Sequence, residues 1–304
     1  MLKNYYNVSI WNQEGIFMQG LQRFSVMLFL IALSAFLTFT IYTKTTEDTA
    51  GPKIRMDKDV LEVSVEDGDK VLLKGVTARD SRDGDVTDTL VVENLSNFTT
   101  KNRRLITYAA FDSRRNVGKA TREIQYKDYE SPKFIMKEAP KLSQTEVDTI
   151  NTFNEVIQAT DCLDGDITRN ISVSSTGDYE EAEFGGKRIM KFQVSNSAGD
   201  VEHVSITVPF NESGAPVANL TSYIVYLKKG QEFDPNGYLK SIQVNNNERS
   251  ISEFREEYEE GTITIKNGVN ISEPGAYQVT YTVTVGEESR LRGSVAYLQV
   301  IVRE

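Results

Sequence analysis

The chain has 304 residues, 26% of them charged and 39% hydrophobic, with a formal net charge of −10; this balance reads as two or three folded domains rather than a disordered polymer. A surface of that sign repels a phosphate backbone and no basic stripe offsets it, so no nucleic-acid partner is expected. A single Cys and a single His exclude intrachain disulfides and Cys/His zinc sites.

Residues 1–23 form a short leader, read as cytoplasmic. Its stretch "VSIWNQEGIFMQGLQR" mixes apolar and polar residues and reads as a short interfacial extension of the anchor, with a segment that lies along a membrane face or touches a partner as the alternative. Phe24 to Tyr42 carry no charge, and as a helix these residues extend roughly 28 Å, close to the ~30 Å hydrocarbon core. We read residues 24–43 as an uncleaved transmembrane anchor, flanked by Arg23 and Lys44. The small residues "ALSA" at 32–35 keep a cleavable signal peptide open as the rival reading. The apolar run continuing through Phe36, Phe39 and Ile41 favours the anchor. Lys44, Lys53, Arg55 and Lys58 follow the span, which by charge alone opposes an outside C-terminus, but long folded domains translocate largely regardless of charge.

After a linker at 44–50 the sequence repeats. "GPK" at 51–53 matches "SPK" at 131–133, and "GAP" at 214–216 marks a third start. "ARDSRDGDVT" at 78–87 matches "ATDCLDGDIT" at 159–168, and "YAAFDSRRN" at 108–116 matches "FQVSNSAGD" at 192–200. The modules are bounded at 51–128, 129–211 and 212–304, the last divergent. Within them apolar residues alternate: Tyr277, Val279, Tyr281, Val283 and Val285 share one face of a strand, and Met190, Phe192 and Val194 another. Val204, Ile206 and Val208 leave His203 on a wet face. Lone Cys162 reads as a small buried hydrophobe. Short alternating strands between Gly, Asn and Asp turns indicate all-β sandwiches. One helix interrupts them near 250–260, where Ser250 and Glu253 stand at capping-box spacing before a stop at Gly261.

The order of an early Pro, then A-x-D-x-x-D-G-D-[VI]-T, then Y-x-[VA]-x-D-S-x-x-N in residues 51–211 resembles the bacterial immunoglobulin-like repeats of Gram-positive surface proteins. That module type is also found beside an insecticidal crystal toxin and is similar to hyalin repeats. Residues 212–304 fit in part, since the DGD turn is missing there. The resemblance implies three tandem immunoglobulin-like β-sandwiches after one N-terminal transmembrane helix. It further implies an extracellular, non-enzymatic role as spacer or ligand-binding unit, and so supports N-in, C-out topology.

The repeated acids are the candidate site: Asp80, Asp83 and Asp85 in the first module, Asp161, Asp164 and Asp166 in the second. Calcium takes six to eight oxygens, several of them carboxylate, so dense Asp residues suit it, although the spacing is not that of an EF-hand. Asp-Gly between strands is equally a preferred turn, and both readings stay open. If the motif lies in the loop between the second and third strands, Asp112 and Asn116, or Asn196 and Asp200, share its pole. Asp128 and Glu130 of the linker would then join the second cluster, where calcium would stiffen the junction. No catalytic residue and no certain cofactor is assigned.

These features describe a single-pass cell-membrane protein with extracellular modules, held by residues 24–43 and binding a protein or glycan ligand. With no wall-sorting signal after "LQVIVRE", the third module is expected as the free tip of an in-line stalk on the order of 100 Å long. The alternative is a structural subunit of an envelope-spanning assembly, docking through leader and anchor. Seven N-x-[ST] sites matter only in a eukaryotic secretory pathway.

Overall fold

The computed structural model describes residues 4–46, 48–139, 153, 156–286 and 290–304. Two compact units organise the chain: residues 1–55, 77–90 and 109–119 form one, and residues 56–76, 91–108 and 120–304 the other.

The first unit opens with helix α1, which runs unbroken from Asn4 to Thr46. At 1.5 Å per residue its 43 residues extend about 64 Å, twice the hydrocarbon core. Met18–Lys44 is long and apolar enough to cross a membrane, with a mean hydropathy of 2.3 and no part of its most apolar window buried. Hydroxyls in this span turn back onto their own helix. Ser25 donates to the Leu21 carbonyl at 2.9 Å, Thr38 to Ser34 at 2.8 Å and Thr40 to Phe36 at 2.8 Å. An apolar surrounding demands such internal partners. From Asn4 onward, helix joins the leader to the span without a break.

Three immunoglobulin-like sandwiches follow. In the first, strands Lys53–Met56, Val76–Asp80 and Gly84–Asp85 form one sheet; Val60–Val63, Val117–Tyr126, Arg103–Phe111 and Val91–Thr100 form the other, in that order. The third repeats this plan: Val217–Leu220, Leu239–Val244 and Asn247–Arg249, then Ile224–Lys228, Arg292–Arg303, Gly275–Val285 and Thr262–Asn267. In both, the opening strand of the larger sheet pairs in parallel with the last strand, Val60 opposite Glu123 and Ile224 opposite Gln299. In the second, Lys133–Met136, Ile157–Asp161 and Gly165–Asp166 form one sheet, while Gly186–Ser195 is the hub of the other, pairing Ser172–Thr176, Glu180–Glu181 and Val201–Phe210.

Alternation places the cores. In strand Gly275–Val285 the residues Val279, Tyr281 and Val283 are fully buried, because the strand lies between Thr262–Asn267 and Arg292–Arg303, with Val279 opposite Leu298. Met190, Phe192 and Val194 are buried, as are Val204, Ile206 and Val208, and His203 is exposed beside them. Cys162 departs from expectation. It is exposed, since it sits in the DGD loop beyond the strand end, where its thiol donates to the Glu130 carbonyl at 3.2 Å.

Helix α2, Ile251–Glu257, forms where the capping box predicts it. The Ser250 hydroxyl accepts from Glu253 N–H at 3.3 Å, and the Glu253 carboxylate accepts from Ser250 N–H at 2.8 Å. Its outer face is acidic, but Phe254 is fully buried in the third module's core. Gly261 closes the segment for want of space: a Cβ there would lie 2.9 Å from the Phe254 ring.

The second and third modules share one core. One buried apolar cluster runs from Phe134 to Val302. Tyr223 N–H donates to the Met136 carbonyl at 2.8 Å, and the Tyr226 hydroxyl accepts from Phe134 N–H at 2.9 Å. Arg303 donates to the Pro132 carbonyl at 2.7 Å, pairs with Glu202 at 2.9 Å and stacks 4.3 Å from the Tyr226 ring centre. Thr207 with Gln278 and Asn211 with Val295 add further contacts between the two modules. Such a shared core resists bending more than a short linker does.

Phe254→Ala removes a fully buried ring and is expected to cost about 3–5 kcal/mol, read as a lowered denaturation midpoint with an unchanged slope.

Candidate functional site

Each DGD loop is wired by its own acids. In the first module Asp80 ends strand Val76–Asp80 and its Oδ1 accepts from Arg82 N–H at 2.7 Å and Asp83 N–H at 3.0 Å. Gly84 takes a left-handed backbone, φ +80°, which only a residue without Cβ adopts at no cost. The chain then pairs back, Asp80 opposite Gly84. Asp85 accepts from Thr87 N–H at 3.0 Å, and the Thr87 hydroxyl accepts from Ala78 N–H at 3.1 Å. Asp83 crosses to the neighbouring loop, accepting from Ser113 N–H at 2.7 Å and its hydroxyl at 3.1 Å.

The second module repeats this bond for bond. Asp161 accepts from Leu163 and Asp164 N–H groups at 2.8 and 3.2 Å, Asp166 from Thr168 N–H at 2.9 Å, and Asp164 from Ser197 N–H and hydroxyl at 2.5 and 2.7 Å. Gly165 matches Gly84 with φ +72°. Backbone donors, Arg82 N–H first, hold Asp80 below the usual carboxylate range, and Thr87 and Thr168 do the same for Asp85 and Asp166.

The copies diverge at one pair of positions. The first module has Asp112 and Asn116 where the second has Asn196 and Asp200. In the second, the Asn196 amide donates to Asp161 at 3.1 Å and to the Tyr129 hydroxyl at 2.8 Å, and Tyr129 donates to Asp200 at 2.7 Å. Burial, then the Asp200 carboxylate, push the Tyr129 phenol far above its ordinary range, so it stays a donor. Every carboxylate at this pole meets a hydrogen-bond donor.

In the first, a carboxylate replaces that amide. Oxygens of Asp48, Asp80 and Asp112 lie within 4.8 Å of one another, with Asp80 and Asp112 buried. The Asn116 amide donates to Asp112 Oδ2 at 2.7 Å and to the Asp48 carbonyl at 2.9 Å, and Arg82 Nε lies 3.5 Å from Asp48 Oδ2. Three carboxylates around one point supply the oxygen chemistry of a hard cation such as calcium. Asp80 and Asp112 each already hold two main-chain N–H groups on Oδ1, so water would complete most of a six- to eight-oxygen shell.

Of the six acids singled out by sequence, Asp80 alone belongs to this cluster. Asp83, Asp85, Asp164 and Asp166 turn to loop donors, and Asp161 to an amide. Asp128 turns away to Ser64 and Val65, at 2.6 and 3.0 Å, and Glu130 pairs with Lys133; neither joins Asp161. Sequence reasoning placed Asp112 at this pole and missed Asp48. The available signal was its position three residues before "GPK", mirrored by Asp128 before "SPK".

No protein-family model and no curated relative matches the chain. Among solved structures it is similar to Drosophila N-cadherin EC1–3, at 14% identity over 82% of this chain and 98% of that one, with a TM-score of 0.24. It is also similar to human CDH23 EC21–23, at 11% identity over 83% and 100% of the two chains, TM-score 0.20. A third is the CBM51-2 and INT structure of Clostridium perfringens ZmpB with GlcNAc, at 13% identity, TM-score 0.21; 82% of this chain covers 44% of that one. Likenesses this distant carry no functional argument.

Two substitutions test the site. Asp112→Asn gives the first pole the amide of the second and is expected to raise the unfolding temperature in EDTA by relieving like-charge repulsion. A parent chain that unfolds at one temperature in EDTA and in millimolar calcium would show that Arg82, not a metal ion, balances the cluster. Tyr129→Phe is expected to cost about 1–3 kcal/mol, read by thermal denaturation, because Asp200 loses its donor.

Proposed function

We propose that this is a membrane-anchored cell-surface protein of bacterial type, whose immunoglobulin-like modules stand outside the cell and act by binding or spacing, without catalysis. The observation that carries this reading is the junction at Asp48. The apolar span ends at Lys44 and α1 at Thr46, and two residues later the chain is fastened into the loops of the first module. Anchor and module are therefore nearly consecutive along the chain.

Binding at the third module is part of the proposal, by a protein or glycan ligand against the exposed acidic face of α2, since the opposite face is committed to the core through Phe254. The second reading, a subunit of an envelope-spanning assembly, is favoured by one feature: α1 extends fourteen residues ahead of the span, from Asn4 to Phe17, as the same helix.

Proteolytic shaving of intact cells should digest the modules while sparing α1; protection of residues beyond 48 would contradict the topology. Exchanging residues 1–46 for a generic anchor separates the two readings, because a binding or spacing role survives the exchange and an assembly role does not.

A further inference from the structure

The linker between the first two modules is fastened residue by residue. On the first-module side, Lys127 N–H donates to the Val63 carbonyl at 3.0 Å, and the Asp128 carboxylate accepts from the Ser64 hydroxyl and Val65 N–H. Tyr129 serves both sides: its ring stands edge-on to Phe98, centres 4.6 Å apart, and its hydroxyl donates to Asp200 at 2.7 Å. Glu130 turns to the second module, its N–H facing Cys162 Sγ at 3.5 Å and its carbonyl accepting from the same thiol at 3.2 Å.

The next two residues turn to the third module. The Ser131 and Pro132 carbonyls accept from Arg303, at 3.0 and 2.7 Å, and Arg303 closes the last strand of that module, Arg292–Arg303. Two strands deliver it there. Ile224–Lys228 runs parallel to Arg292–Arg303, with Lys228 opposite Arg303, and Tyr223 N–H on the Met136 carbonyl sets that pair beside Lys133–Met136.

The guanidinium is held in one pose. It pairs with Glu202 of the second module at 2.9 Å, lies 4.3 Å from the Tyr226 ring centre, and Tyr226 in turn takes Phe134 N–H at 2.9 Å, just past the linker. Only 24% of the Arg303 side chain and 19% of that of Glu202 are exposed, so salt screens the pair weakly. A planar fork of donors suits two carbonyls and a carboxylate at once, which a point-charge ammonium does not.

Beyond the linker the joint is packed. Ala198 is fully buried and its carbonyl accepts from Phe98 N–H at 2.8 Å. A Cβ on Gly199 would lie 2.9 Å from the Asn97 amide. Such contacts hold at one spacing, since a gap of about 0.5–1 Å forfeits a quarter to a half of the attraction. The acids of the joint meet donors of their own, Asp128 from Ser64, Glu130 from Lys133 and Asp200 from Tyr129.

We propose that the third module is a built-in clamp on the joint between the first and second: Arg303 ties down the linker and so fixes the spacing at which Tyr129 and Phe98 meet, without a metal ion. This adds to the binding or spacing role a task for the third module that needs no ligand.

The test is hydrogen–deuterium exchange on the full chain in nanodiscs. In Arg303→Gln the N–H groups of Glu130 and Phe134, and of Phe98 across the joint, should exchange severalfold faster than in the parent. Those of strand Gly275–Val285 should keep their rates. Arg303→Lys should fall between, because an ammonium cannot span both carbonyls and Glu202. Glu202→Gln leaves the third-module strand intact and should speed the same amides by a smaller factor. Unchanged rates at Glu130, Phe134 and Phe98 in Arg303→Gln would overturn the clamp. So would a rise matched along Gly275–Val285 in both the Arg303→Gln and Glu202→Gln chains, which would make the pair a general stabiliser. In the parent, linker rates should be equal in EDTA and in millimolar calcium; slowing by calcium would give the joint to a metal ion and also overturn the proposal.

Discussion

The Asn116 amide binds two oxygens at once, the Asp112 carboxylate and the Asp48 main-chain carbonyl. Through it the segment leaving α1 becomes part of the loop pole of the first module. Asp48 then brings its own carboxylate against Asp80 and Asp112 and draws in Arg82. The meeting of the Asp48, Asp80 and Asp112 carboxylates goes with this contact.

The same loop framework serves two surroundings. Asp80 and Asp161 hold their turns through identical N–H bonds, and Asp83 and Asp164 reach the same serine of the facing loop. On that common base the second copy places an amide, a phenol and small residues, which suit a pole covered by protein. The first places three carboxylates and exposed arginines, which suit a charged, wet boundary. Exchange of Asp and Asn between two positions of one loop, together with the arrival of Asp48, replaces a closed hydrogen-bond network by three clustered carboxylates with Arg82 beside them.

Much of this was legible in the sequence because it is local. Alternation at Tyr277–Val285, the Ser250–Glu253 capping box and the Gly after each Asp turn depend on neighbours a few residues away. The repeat offset also revealed the matching loops, and hence Asp112 beside Asp80. What escaped depends on distant pairings. Asp48 meets Asp112 across 64 residues of sequence, and Arg303 meets Pro132 and Glu202 only once two closing strands lie together. No periodic pattern announces either. Cys162 misled because composition favours burial for a lone cysteine, whereas its loop position exposes it.

The central claim is that the first module is fixed to the end of α1. The most direct measurement is a pulsed-EPR distance between spin labels at Tyr42→Cys and Ser81→Cys, in a Cys162→Ser chain reconstituted in nanodiscs. The account predicts one narrow distance distribution that broadens in Asn116→Ala. A broad distribution in the parent, or one that Asn116→Ala leaves unchanged, would contradict it.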